Sequence, residues 1–218
     1  MFNKKAKNTG VGFAQMFTKE HRQKNYQYYV FALMLLFAVV ALAAAFILTL
    51  EKFHLYENPN AVLSCSINVV LNCSTVMQTW QSHVFGFPNM LLGLIFFPIM
   101  ITVALLGLSG TKMPRWFLIG ANIGYLIAIA FSYWLFFSSV YAIQVLCPWC
   151  LLVTTSMTIT FATITHFNLK ENTFHLKKKL NDRVQKFLNG GYHQMLVLSW
   201  LALMVVLVVV KFGDALFA

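Results

Sequence analysis

The stretch that decides the fold runs from Trp116 to Phe167: WFLIGANIGYLIAIAFSYWLFFSSV (116–140), YAIQVL (141–146), CPWCLLVTTSMTITFATITHF (147–167). The first and third pieces each reach the roughly 20 residues that cross a hydrocarbon core at about 1.5 Å per residue. Neither contains Asp, Glu, Lys or Arg. Only the short piece 141–146 joins them, so two membrane-crossing helices must lie side by side as an antiparallel hairpin. Strict apolar/polar alternation is absent, and open sheet edges do not occur in lipid, so a β-barrel is excluded.

Outward from this hairpin the same pattern recurs at Tyr28 to Leu50, Pro88 to Leu108 and Met195 to Phe212. The chain is 59% hydrophobic and only 10% charged, which leaves little room for a soluble domain beside these runs. The expected fold is an all-α integral membrane protein with five transmembrane helices. Residues 1–27 form a basic cytoplasmic N-terminal segment, and 28–213 a single membrane domain. Its spans are about 28–50, 88–108, 116–140, 147–167 and 195–212, with an outer loop 51–87 and a cytoplasmic loop 168–194. Spans one to four form a bundle, and the fifth, uniformly apolar from Leu201 to Val210, lies at its periphery.

Sixteen Lys and Arg residues set the orientation. Lys4, Lys5, Lys7, Lys19, Arg22 and Lys24 precede the first span, and Lys112 and Arg115 separate the second from the third. Lys170, Lys177, Lys178, Lys179, Arg183 and Lys186 separate the fourth from the fifth, leaving Lys52 and Lys211 for the other side. Segregation into alternate loops places the N-terminus in the cytoplasm of a multi-pass cell-membrane protein. The net charge of +10 therefore calls for no nucleic acid; it marks membrane lipid as the partner of the basic loops. A cleaved signal peptide is the alternative for the first span, with Ala43 to Ala45 as small residues, but the apolar run is longer than a signal core.

All four cysteines fall in or beside the outward loops: Cys65, Cys73, Cys147 and Cys150. An extracytoplasmic compartment permits disulfides, so either two structural bridges or a redox site would fit. In Cys147-Pro148-Trp149-Cys150 the sulfurs lie one turn apart at a helix start, where Pro is favoured and free N–H groups face outward. A thiolate there is stabilised by those donors, which lowers the thiol pKa and makes the disulfide more oxidising. Zinc is an alternative for such a motif, but the seven residues between Cys65 and Cys73 exceed ordinary zinc-ligand spacing, and no metal is expected.

In the outer loop, Ser74 is placed to cap a helical turn, and Val76, Met77, Trp80, Val84 and Phe85 follow at helical spacing as an amphipathic segment. Trp80 fits either an interfacial belt or a lid over a buried site. The stretch 66–72 is expected to be mobile, a useful property for thiol exchange. Pro88 is expected to open the second span. Asn89 places an amide near membrane depth, where an unpaired polar group is costly, and Gly93 allows a helix or flat ligand to approach. Asn122 is expected to bond a neighbouring helix. The threonines of the fourth span are expected to satisfy their own backbone.

Taken together, the pair Cys65/Cys73, Trp80, Pro88-Asn89, Gly93, Phe96-Phe97 and a later CxxC resemble the vitamin K epoxide reductase family over about Cys65 to Thr154. Five spans without a fused thioredoxin-like domain resemble its bacterial branch. The resemblance implies a membrane thiol:quinone oxidoreductase that reoxidises an extracytoplasmic thioredoxin-fold (DsbA-like) thiol oxidase and reduces menaquinone or ubiquinone. Cys65 would exchange with the partner, Cys73 would attack Cys147, and Cys150 would face the quinone. Asn89 would hydrogen-bond a quinone oxygen. Spans one to four would be the catalytic bundle. Where some members carry a tyrosine four residues after the CxxC, this chain has Thr154, which is expected only to line the pocket and leaves epoxide reduction open. The alternatives are a disulfide-stapled scaffold without activity, and a second type of quinone-linked thiol oxidase, in which the order of the two cysteine pairs is reversed.

Overall fold

The computed structural model describes residues 7–216, with side chains from 25 to 213. Among the described residues seven α-helices follow one another: α1 (Lys7–Glu57), α2 (Cys73–Gln78), α3 (Met90–Leu108), α4 (Arg115–Phe137), α5 (Pro148–Lys170), α6 (Lys178–Asn189) and α7 (Tyr192–Leu216). A 3-10 turn, Trp80–His83, follows α2, and a π-helical turn, Ser138–Ile143, follows α4. Among the described residues there is no named strand, and five helical stretches are long and apolar enough to cross a membrane. The side chains of Lys4, Lys5, Lys7, Lys19, Arg22 and Lys24 lie outside the described residues.

Local chemistry explains where the elements stop. α1 continues past Leu50 because nothing in Glu51 to Glu57 breaks it. It ends where Pro59 disfavours helical geometry at the residue before it, and Asn58 makes the last turn's bond to His54. The outer connection thus begins at Asn58 rather than Glu51. α3 begins at Met90 with Asn89 as N-cap, so Pro88 stands just outside the helix rather than at its first position. α4 runs through the π-turn to Gln144, whose φ of 58° reverses the chain. α5 then opens as the sequence suggests, with Cys147 at the N-cap and Pro148 next.

α1 is the spine of the bundle. Phe31, Met34, Ala38, Ala41 and Ala45 recur on one face and are buried against Phe97, Met100, Val103 and Ala104 of α3 and Met157, Ile164 and Phe167 of α5. Small residues let the backbones approach, which is how helices associate in lipid. At Gly107 an added Cβ would stand 2.3 Å from the Phe31 ring, and at Gly93 2.9 Å from Ala45 Cβ. α4 packs on α5 as the hairpin requires, and Asn122 donates across to Thr165 Oγ1 at 3.0 Å. The space between α3 and α4 is left to a cavity.

α7 is peripheral but tethered. Trp200 Nε1 donates to Tyr133 Oη at 2.7 Å, and that oxygen lies 2.6 Å from Thr158 Oγ1, so one tyrosine links three helices. Met204 and Phe212 add apolar contact with Phe136, Val140 and Leu146. Between α5 and α7, α6 carries Lys178, Lys179, Arg183 and Lys186, and Gln185 ties it to the carbonyls of Leu169 and Lys170.

Candidate functional site

The connection between α1 and α3 folds back over the end of the bundle. Asn72, not Ser74, caps α2: its Oδ1 accepts from Thr75 N at 3.1 Å and from Ser74 Oγ at 2.8 Å. The cap falls one residue pair earlier because Cys73 itself begins the helix. Thr79, with ψ of 155°, breaks the predicted amphipathic run into α2 and the 3-10 turn. The stretch expected to be mobile is tied down. Asn68 Oδ1 accepts from the N–H groups of Val70 and Leu71, and Leu71 forms a parallel bridge with Leu146 beside the CxxC.

This bridge brings the two cysteine pairs together. Cys65 and Cys73 form a disulfide with Cα atoms 5.6 Å apart. Cys73 Sγ lies 3.1 Å from Cys147 Sγ. Both are fully buried with Leu48, Leu55, Leu63 and Met77, and Trp149 packs against the cluster. Cys147 Sγ accepts from Cys150 N at 3.4 Å, the N-terminal amide expected at a helix start. The Cys147 thiol is held below its ordinary pKa, chiefly by the hydrogen bond from the Cys150 thiol. Burial acts in the opposite sense, the N–H groups of Cys150 and Trp149 help, and the charge of Glu51 opposes.

Cys150 is exposed, and its open side faces the cavity. The cavity measures about 460 Å³, within the range that holds a small organic molecule. Its walls are largely apolar: Leu48, Phe85, Phe96, Phe97, Phe131 and Leu135 contribute, and Asn89 and Thr154 also line it. Of the sequence-predicted residues, the four cysteines, Asn89 and Thr154 therefore meet at one end of the bundle. Trp80 is not among the lining residues. It is exposed, with its ring 6.1 Å from Trp134, while Phe85 reaches Phe131 at 5.6 Å and pins this part of the outer connection, the lid of the cavity, to α4.

Asn89 is held rather than free. Its Nδ2 donates to Gln81 O at 2.7 Å and its backbone N–H to Ser82 O at 2.9 Å. Its Oδ1 is buried without a partner. One carboxamide hydrogen and one acceptor thus remain for a bound molecule, an arrangement that is costly unless filled. Thr154 Oγ1 donates to Cys150 O at 3.0 Å, as its short side chain led one to expect, and also lies 2.9 Å from Ser132 Oγ.

Several residues were missed by sequence reasoning. Ser132 is a hydroxyl in the middle of an apolar span, a signal available in the sequence. Gln81 and Ser82 fall off the apolar face of the amphipathic run, and their role emerges only because that run breaks at Thr79. Lys52 had been counted only as an outward charge. In the fold it is buried, donates to Met77 O at 2.9 Å and lies 4.8 Å from the centre of the Tyr56 ring, fastening the end of α2 to α1.

Five membrane-crossing helices, a disulfide in contact with a second cysteine pair and an apolar cavity beside it define a multi-pass membrane oxidoreductase working through cysteines. The profile of the vitamin K epoxide reductase family matches residues 32–165, and the chain belongs to that family. No individual curated protein matches the chain.

Proposed function

We propose that the protein is a thiol:quinone oxidoreductase that draws electrons from an extracytoplasmic thioredoxin-fold partner and passes them to a membrane quinone, menaquinone or ubiquinone. The observation that carries this reading is the 3.1 Å approach of Cys73 Sγ to Cys147 Sγ, with Cys150 opening on the cavity. Thiol exchange needs one sulfur to approach another, and the buried contact supplies that approach between the pairs.

The direction follows from position. A partner thiolate attacks Cys65 and forms a mixed disulfide, releasing Cys73 as thiolate. Cys73 then attacks Cys147 of an oxidised Cys147–Cys150 pair, and Cys150 leaves as thiolate facing the cavity. The contact between Cys73 and Cys147 serves this step in either direction, so the state with Cys65–Cys73 closed is one end of the same exchange.

The residues around the cavity fit a quinone. An apolar cleft suits a flat ring with an isoprenoid tail, and the spare carboxamide hydrogen of Asn89 matches a carbonyl oxygen that gains negative charge on reduction. A bound quinone supplies a two-electron acceptor. Cys150 presents its sulfur to it, Asn89 orients it, and Phe97 and Phe131 keep water out. Thr154 is engaged by Cys150 O and Ser132, which favours quinone over epoxide reduction, since the latter asks for stronger acid assistance.

Loop charge supports an N-terminus in the cytoplasm and active cysteines on the extracytoplasmic face. The scaffold alternative does not require the two pairs to touch or a cavity at Cys150.

The test is reoxidation. Protein reduced with dithiothreitol and freed of excess should recover both disulfides on addition of a short-chain menaquinone or ubiquinone, with stoichiometric quinol. Failure to reoxidise, or an unchanged rate in Cys150→Ala, would falsify the reading.

A further inference from the structure

We propose that Ser82 and His83 form a proton-delivery route into the cavity, Ser82 at its wall and His83 behind it on the lid. The inference rests on the quinone reading above. Two-electron reduction of a quinone makes two O–H bonds, so two protons must reach oxygens in an apolar chamber.

The wall is poor in acids. Its lining residues include no Asp, Glu, Lys, Arg or His, and the titratable groups among them are Cys147 and Cys150. Five hydroxyl residues line it: Thr79, Ser82, Ser132, Ser139 and Thr154. Thr79 donates to Val76 O, Ser139 to Val145 O, and Ser132 and Thr154 bond each other. Of the five hydroxyl groups, that of Ser82 is the one in contact with an ionisable side chain, its Oγ 2.7 Å from His83 Nδ1. His83 is half-buried, on a lid whose neighbours Val84 and Phe85 are exposed.

Ser82 is also correctly placed. Its backbone carbonyl receives the N–H of Asn89, and the preceding carbonyl, of Gln81, receives the Asn89 carboxamide. The amide that would hold a quinone oxygen and the hydroxyl that would protonate it therefore share one rim. At rest the Ser82 proton has two carbonyls to choose from, Met77 O and Thr79 O, each at 2.7 Å. Rotation of one O–H bond turns it to the cavity while Oγ accepts from Nδ1. His83 Nδ1 also lies 3.2 Å from Thr79 O, which keeps the ring in register.

The Cys147/Cys150 dithiol loses two electrons and both S–H protons as its S–S bond forms, and two O–H bonds form on the quinone. One proton passes from Cys150, which opens on the cavity and whose thiolate, left by the exchange with Cys73, has been reprotonated from water, the sink for the partner's thiol protons. The other comes from His83 Nδ1 by way of Ser82 Oγ, and His83 is replenished from water, which has received the Cys147 proton. His83 acts through Ser82 and touches no reacting atom.

The experiment uses full-length protein in lipid nanodiscs. In His83→Ala, quinone reduction should fall roughly tenfold or more, the scale of general acid assistance. Added imidazole should restore much of it, and reduction of Cys65–Cys73 by dithiothreitol should keep its rate. A second readout needs no turnover: in quinone-free protein labelled with 15N-histidine, the His83 Nδ1 resonance should move in Ser82→Ala. A wild-type rate in His83→Ala, a deficit that imidazole leaves untouched, or a resonance that stays put in Ser82→Ala overturns the route. If His83→Ala does not accumulate, His83→Asn takes its place with the same rate and rescue criteria. Absence of quinone reduction by the wild type sinks the parent reading instead, so the two failures are distinct.

Discussion

Cys73 Sγ and Cys147 Sγ, separated by 74 positions in the chain, stand 3.1 Å apart in a buried apolar cluster. Cys73 is the first residue of α2 and Cys147 the N-cap of α5, so each sulfur sits at a helix N-terminus where N–H groups favour a thiolate. Two such termini face one another, and Cys147 Sγ accepts from the helix amide of Cys150 at 3.4 Å.

Removal of Cys73 should trap the partner. In Cys73→Ala the thiolate that resolves the mixed disulfide is gone, so Cys65 should hold its partner covalently. Cells expressing this variant should yield a higher-mass, dithiothreitol-sensitive species on non-reducing gels, with a thioredoxin-fold protein in it by mass spectrometry. The double variant Cys65→Ala, Cys73→Ala should yield none.

The Cys147 thiol should titrate below the value of an unperturbed thiol. Its folded-state pKa is depressed, first by the Cys150 thiol, so the stabilisation it contributes is present above the unfolded value and lost as pH falls through the folded one. The 13Cβ resonance of labelled Cys147, followed with pH in the Cys65–Cys73 oxidised state, should have its midpoint under that value. Cys150→Ala should move the midpoint up, and Glu51→Gln should move it down, because the Glu51 charge opposes ionisation.

Asn89→Ala should separate the two half-reactions. Loss of the carboxamide removes a buried group worth about 1–3 kcal/mol to a bound oxygen, roughly a 5- to 150-fold fall in quinone turnover. Exchange between the cysteine pairs should be nearly unchanged. Stopped-flow quinol formation beside quenched thiol trapping measures both, and an unaltered quinone rate would leave Asn89 only its structural bond to Gln81 O.

Gly107→Ala should weaken the α1–α3 contact. Its Cβ would meet the buried Phe31 ring at 2.3 Å, and overpacking of this kind costs about 1–3 kcal/mol. Thermal unfolding in detergent should shift down, whereas Gly120→Ala, with nothing near the added methyl, should not.

Much of this molecule was legible from its residues. Long apolar runs announced five crossings, because lipid demands that backbone groups be satisfied within a helix. The short link 141–146 announced adjacency of α4 and α5, Pro148 the start of α5, and Asn122 a bond between helices, all of which the fold displays. Less legible was the outer connection. Ser74 looked like the cap and Val76 to Phe85 like one helix, yet Asn72 took the cap and Thr79 broke the run. Short segments have weak propensities, and there tertiary hydrogen bonds from Leu146, Lys52 and Asn89 outweigh them.

The sequence by itself determined the class of protein, the number of crossings and the residues able to carry redox chemistry, since these depend on local composition and spacing. Only the tertiary structure decided that Cys73 meets Cys147, that Cys150 opens on a cavity, that Lys52 is buried under α2 and that Ser82 links the cavity wall to His83. Those relations join residues far apart in the chain, except for Ser82 and His83, neighbours in one 3-10 turn whose position at the cavity depends on the break at Thr79. They are set by how the lid packs across the ends of α1, α3 and α5, a property of contact geometry that no single stretch of sequence contains.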